Sequence, residues 1–199
     1  MVARSGIRNN LAFESLAFTP DGEYLLTGVE NALLQDGPIA DVDQPSLSRL
    51  IKFNRAAGQS VQEMVYPTGP AVAPVTPDIP HGLVDMAALD NNGSLLMLER
   101  GHFCGTGLTV RLYQAQTRYT GCGADRQSDV GSAKGIPYEI DPPVTKELLL
   151  DLADLGLPFV NNYEGMALGP VLPDGRQTLI LVKVITIFRC CRPSLLLWP

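Results

Sequence analysis

Glu14-Ser15-Leu16-Ala17-Phe18, the turn Asp21-Gly22 and the run Tyr24-Leu25-Leu26 form a unit that returns twice further along the chain. It comes back as Asp85-Met86-Ala87-Ala88-Leu89, Asn92-Gly93 and Leu95-Leu96-Met97-Leu98, and again as Glu164-Gly165-Met166-Ala167-Leu168, Asp174-Gly175 and Leu179-Ile180-Leu181. Each copy reads acid, two variable residues, Ala, a large apolar residue, turn, apolar strand. The turn dipeptides tolerate positive φ, which a tight hairpin needs. Three hairpins are predicted, with Ala17, Ala88 and Ala167 in equivalent places where a small side chain lets neighbouring sheets approach. The acids lie 71 and 79 residues apart, more than the about 40 to 50 residues of one propeller blade. Either the blades carry long insertions or a degenerate blade lies between copies.

The rest of the chain extends the pattern. Short β-rich runs at residues 11–18, 23–29, 49–54, 61–66, 83–89, 94–99, 108–114, 145–151, 163–168 and 178–182 are separated by Gly, Pro, Asn and Asp. Residues 150–155 suit one short helical turn ending at Gly156, and nothing longer reads as a helix. Three stretches read as surface loops: the polar, acidic residues 31–48, the proline-punctuated residues 66–82 and the Gly-rich residues 118–143. Loops of this length often carry function. The fold class is all-β, a β-propeller-like partial propeller of antiparallel hairpin blades.

Composition agrees. The 199 residues include 19 Gly and 16 Pro, which disfavours helical bundles. The net charge of −6 argues against a phosphate-backbone binder, so nucleic acid is a poor partner. Three basic residues and no acid occupy the last 17 positions, leaving 12 basic against 21 acidic residues in residues 1–182. Such an acidic body favours cations. No signal peptide is visible at the start, and the longest apolar stretch, residues 179–188, contains Lys183 and is too short for a transmembrane segment.

In a propeller, an acid at one fixed point of each inner strand would face a shared axial channel. Repulsion between Glu14, Asp85 and Glu164 would raise their pKa values unless a cation compensates, and calcium, with its several oxygen ligands, is the natural candidate. The alternative is that each acid caps a local turn or pairs with an arginine of its own blade. A Cys104–Cys122 disulfide requires neighbouring strands, the alternative being two unpaired thiols. His102 and Cys104 lack the partners that would complete a zinc site.

Asn9-Asn10-Leu11-Ala12-Phe13-Glu14-Ser15-Leu16-Ala17, Glu99-Arg100-Gly101, Val110-Arg111-Leu112-Tyr113, Asp151-Leu152-Ala153-Asp154-Leu155-Gly156 and Asn161-Asn162-Tyr163-Glu164-Gly165-Met166-Ala167-Leu168-Gly169-Pro170 resemble the phytase-like domain family, the "esterase-like activity of phytase" proteins. The resemblance runs in order from residue 9 to 182. It implies a β-propeller, an extracytoplasmic location (periplasmic or secreted) and hydrolysis of phosphate or other esters, without assigning catalytic residues. Family members have further blades before the Asn-Asn-x-Ala-x-Glu motif, so residues 1–182 are expected to be a phytase-like propeller fragment. After Leu181-Val182 the family continues Ser-Asp-Asn-Asn-Phe. Codons that encode residues 183–188 spell those five residues in another register, so 183–199 is expected to be a frameshifted tail.

Two functions compete. One is a metal-assisted hydrolase of small-molecule esters or phosphoesters, with Glu14, Asp85 and Glu164 facing calcium and Arg100 or Arg111 holding phosphate; the arginines are equally suited to pairing with acids. No Gly-x-Ser-x-Gly elbow supports serine-esterase chemistry. The other is a non-enzymatic propeller that presents loops as a binding module. An incomplete propeller would itself be inactive.

Overall fold

The computed structural model describes residues 4–72, 81–103, 107–117, 144–157 and 160–183. The four cysteines, residues 118–143 and residues 184–199 lie outside that set, and with them the disulfide, zinc and tail readings. Ten strands follow one another: β1 (Phe13–Phe18), β2 (Tyr24–Val29), β3 (Leu47–Asn54), β4 (Gln59–Pro67), β5 (His81–Ala88), β6 (Ser94–Phe103), β7 (Gly107–Gln116), β8 (Thr145–Asp151), β9 (Tyr163–Val171) and β10 (Gln177–Lys183). All ten fall on the runs predicted from sequence. The helical turn is a single 3₁₀ turn, Leu152–Leu155, closed by Gly156 at φ 63°. No helix among the described residues is long and apolar enough to cross a membrane.

The strands assemble as two four-stranded antiparallel meanders, β1-β2-β3-β4 and β5-β6-β7-β8, followed by the hairpin β9-β10. Asp21-Gly22, Asn92-Gly93 and Asp174-Gly175 sit in the three predicted turns, with the glycines at φ 70°, 98° and 87°. The first strands β1, β5 and β9 lie side by side, so the sheets stack as successive propeller-like blades.

Side chains of the β5–β8 sheet divide by the two-residue period of a strand. Met86, Leu95, Met97 and Tyr113 pack against Ala17, Leu26 and Leu50 of the first sheet. Val84, Leu96, Leu98 and Leu112 face Met166, Leu179 and Leu181 of the third. The middle sheet is therefore covered on both faces.

Strand register corrects the repeat. β1, β5 and β9 each carry an irregularity that leaves one residue without a cross-strand partner: Glu14, Val84 and Glu164. Counting from it, Asp85 matches Ser15 and Gly165, and Ala87, not Ala88, matches Ala17 and Ala167. The adjacent alanines Ala87 and Ala88 allow either alignment by sequence, and only the pairing decides. Ala167 is exposed, so a larger residue there would not overpack this sheet.

The 31–48 segment also departs from a simple surface loop. Ala32 and Ala40 are buried, and Arg49 forms a two-pronged ion pair with Asp36 at 2.6 and 2.7 Å.

Leu50 is fully buried between the first and second sheets. Leu50→Ala is expected to cost about 2–5 kcal/mol, read as a lowered midpoint in urea unfolding.

Candidate functional site

Strands β1, β6 and β9 and the end of β2 bring together four ionisable side chains that are far apart in sequence. Arg100, on β6, donates from Nη2 to Glu164 Oε1 at 2.8 Å, and Asn162 Nδ2 donates to the same oxygen at 2.8 Å. Glu14 and Glu30 both interact electrostatically with Arg100 and with Glu164, and with each other. The site thus combines the strand irregularities at Glu14 and Glu164 with the ends of β2 and β6.

Local packing explains the arrangement. Glu30 donates its backbone N–H to Ala12 (2.8 Å), and its carbonyl accepts from Leu83 N–H (3.1 Å) and Ser48 Oγ (3.1 Å). Gly82 lets β5 press close: a Cβ there would lie 2.6 Å from the Glu30 carbonyl oxygen and from Glu30 Cγ. Glu30 and Arg100 are almost fully buried, at 1% and 7% exposure. They form the floor, with Glu164 half-buried and Glu14 exposed at the rim.

The electrostatics follow from this burial. Loss of water pushes the Glu30 carboxyl up to about 8, Glu14 and Glu164 adding to the rise and Arg100 opposing it. Glu14 is also raised, first by partial desolvation and then by Glu164, with Arg100 acting against. Two donor or acceptor atoms at the floor, Arg100 Nε and Glu30 Oε1, are buried with no partner among the described residues.

Of the acids predicted from sequence, Glu14 and Glu164 interact electrostatically, and Asp85 does not join them. Asp85 Oδ1 accepts from its neighbour Met86 N–H at 2.8 Å and Oδ2 from Met166 N–H on β9 at 2.6 Å. Its carboxyl is raised by burial and lowered by those two bonds, with no contribution from Glu14 or Glu164. Asp85 clamps β5 to β9; the residue equivalent to the two glutamates is Val84. Among the described residues no three His, Cys, Asp or Glu side chains gather to hold a metal ion. Arg100 already holds the Glu164 oxygen that the calcium reading assigns to the metal.

Arg111 lies elsewhere, its Nε on Asp151 Oδ2 at 2.8 Å and its Nη1 on the Pro70 carbonyl at 3.4 Å. It borders a second buried network. Glu99, fully buried, accepts from Tyr66 Oη (2.6 Å), Gly69 N–H (2.8 Å), His81 Nε2 (3.2 Å) and Lys146 Nζ. Burial alone would raise the Glu99 carboxyl, but the His81 hydrogen bond and the Lys146 charge outweigh it and hold it below its ordinary value. Lys146 lies 4.1 Å from the Tyr113 ring centre and 4.6 Å from that of Tyr66. This network welds the first two sheets together.

Sequence reasoning missed Glu30, Glu99, Tyr66 and Lys146. Extending the repeat through the second strand would have exposed one signal: register pairs Glu30 with Arg100 as equivalent positions of adjacent blades, opposite in charge.

Two stability predictions follow from the charges. Glu30 holds its proton in the folded chain up to about pH 8, whereas the unfolded chain releases it near the ordinary value of 4.5. Its contribution is therefore present below pH 4.5 and lost as pH rises toward 8. Glu30→Gln should match the parent at pH 4 and exceed it at pH 8 by about 3–5 kcal/mol, measured by urea unfolding across that range. Lys146→Met, which leaves the Glu99 carboxylate buried without its ammonium partner, should cost about 3–5 kcal/mol at pH 7.

No curated protein and no solved structure matches the chain. The family description "Phytase-like: Esterase-like activity of phytase" matches residues 1–183, a span that holds every described strand and all four residues of the charged cluster. By that match over nearly its whole length, the chain belongs to the phytase-like family.

Proposed function

We propose that the chain hydrolyses phosphoesters or carboxylic esters at the cluster of Glu14, Glu30, Arg100 and Glu164. The family description points to ester hydrolysis. The observation that carries the reading to this site is the pair of buried, unpartnered atoms at its floor, Arg100 Nε and Glu30 Oε1. A protonated Glu30 is a donor, and so is Arg100 Nε–H; together they suit the oxygens of a phosphoryl or acyl group.

The roles follow from exposure and charge. Glu164 and Asn162 fix the Arg100 guanidinium, which takes the developing negative charge on the phosphoryl or carbonyl oxygen. Glu14, open to solvent at the rim, accepts a proton from the attacking water as the new O–P or O–C bond forms. Glu30, neutral up to about pH 8, gives its proton to the leaving oxygen as the ester bond breaks. Proton return from Glu14 through solvent resets the pair. In the metal-assisted form of the reading, calcium would share Glu14 and Glu164 and would have to displace Arg100 from the Glu164 oxygen. An extracytoplasmic setting accords with the family.

An aryl phosphate and an aryl acetate, each with and without calcium, test the proposal. Glu30→Gln should lower kcat by about 10²–10⁴-fold, with the fold intact by the unfolding measurement above. Arg100→Gln should lower kcat/KM by about 10²-fold or more. Phosphate binding without turnover of either ester would favour the binding-module reading. Calcium-dependent activity abolished by Glu164→Gln would restore the metal-assisted form.

A further inference from the structure

Asn92-Gly93 serves the fold as a turn, and its own chemistry goes further. It is the one Asn-Gly pair in the sequence. The loop that holds it joins β5 to β6 in the middle sheet and is closed by Leu89 N–H on the Ser94 carbonyl at 2.9 Å. In such a pair the side-chain carboxamide and the next backbone nitrogen meet with least obstruction, because glycine has no Cβ to shield that nitrogen.

The loop pins its other polar groups. Asp90 Oδ1 accepts from Asn92 N–H at 2.8 Å and from Ser94 N–H at 3.0 Å. The Asn92 carbonyl accepts from Gln116 Nε2 at 3.2 Å, and the Gly93 carbonyl from Thr117 N–H at 2.8 Å and Thr117 Oγ1 at 3.0 Å. Among the described residues, the Asn92 carboxamide and the Gly93 N–H make no hydrogen bond. Asn92 is also exposed. Asn91 differs: its Oδ1 accepts from Asp21 N–H at 3.1 Å, across to the turn of the first sheet, and the residue after it carries a side chain. Gly93 has no ready substitute that would shield the nitrogen, since its φ is 98° and a Cβ there would collide with Thr117 Oγ1 and lie 2.7 Å from the Thr117 carbonyl oxygen.

We propose that Asn92 is a self-modification site, where the folded chain converts a carboxamide to a carboxyl group with water as the only reagent. The Gly93 nitrogen attacks Asn92 Cγ, the new N–Cγ bond closes a succinimide ring, and the Cγ–Nδ2 bond breaks. The proton lost from the Gly93 nitrogen leaves with the departing amide as ammonia. Water then opens the ring: addition at Cγ gives aspartate, and addition at the main-chain carbonyl gives isoaspartate, whose backbone is lengthened by a methylene. No group is oxidised or reduced. Resonance ties up the peptide nitrogen until its proton is removed, so the rate rises with pH.

The products disturb what the turn holds. Either one places a carboxyl group in a loop where Asp90 Oδ1 already lies 2.8 Å from the Asn92 nitrogen, and like charges repel. Isoaspartate also lengthens a loop whose Gly93 is packed against Thr117 and whose Asn91 ties the turns of the first two sheets together. The modification therefore loosens that tie as the protein ages.

Incubation of the folded chain at neutral and at alkaline pH, followed by mass spectrometry of the tryptic peptide 56–100, tests this. The peptide is expected to gain the mass of amide-to-acid conversion at Asn92, faster at alkaline pH, and part of the product should accept isoaspartate-specific carboxyl methylation. Aged protein should unfold at a lower urea midpoint than fresh protein. Asn92→Gln, whose longer side chain would have to close a larger ring, should show neither the mass gain nor the loss of midpoint with age. Fragmentation that localises the gain to Asn91 would overturn the proposal. So would a folded chain whose peptide keeps its mass and gains it only in urea, because the reaction would then belong to the unfolded chain and not to this turn.

Discussion

The β5–β8 sheet is apolar on both faces, and that constraint governs the rest of the molecule. A sheet with one wet face can stand at the edge of a domain, but this one must be covered twice. Met86, Leu95 and Met97 require a sheet on one side, and Leu96, Leu98 and Leu112 require one on the other. Stacking of consecutive meanders follows, with the first strands β1, β5 and β9 drawn together along one side.

That stacking is what makes a charged site. Glu99 and Arg100 are neighbours on β6, and the period of the strand sends them to opposite seams. Glu99 enters the seam with the first sheet, where Tyr66, Gly69, His81 and Lys146 saturate it. Arg100 reaches the third sheet, where it holds Glu164 and leaves one N–H unpartnered among the described residues. In the first network the Glu99 carboxylate reads as structure, because four donors engage it, although His81 Nδ1 beside it is buried without a partner among the described residues. The second is open on the rim and underfilled at the floor, which is why the chemistry is assigned there.

Burial also sorts the acids by role. Asp85 spends both oxygens on backbone N–H groups of β5 and β9 and so fixes the register that brings Glu164 to Arg100. Glu30 Oε1 has no partner among the described residues, and its environment favours the neutral form of the carboxyl up to about pH 8. One carboxyl thus positions, one is bonded to an arginine, and one holds a proton. Arg100 supplies positive charge beside these acids and opposes the rise of Glu14 and Glu30.

Local chemistry fixed the elements: ten β-rich runs, the Asp-Gly and Asn-Gly turns and the single helical turn before Gly156 were all legible, since each rests on residue periodicity or on backbone conformation over a few residues. Glu14, Glu164 and Arg100 could be picked out as candidates from the repeat and the family motifs. Tertiary structure alone decided which of them meet. A one-residue irregularity in β1, β5 and β9 shifts the equivalence from Asp85 to Val84, and no single strand reveals where its partner skips a residue. Glu30 and Lys146 are ordinary surface-type residues by sequence; only the face-to-face packing of sheets, which takes water away from them, turns one into a proton holder and the other into the counter-charge of Glu99.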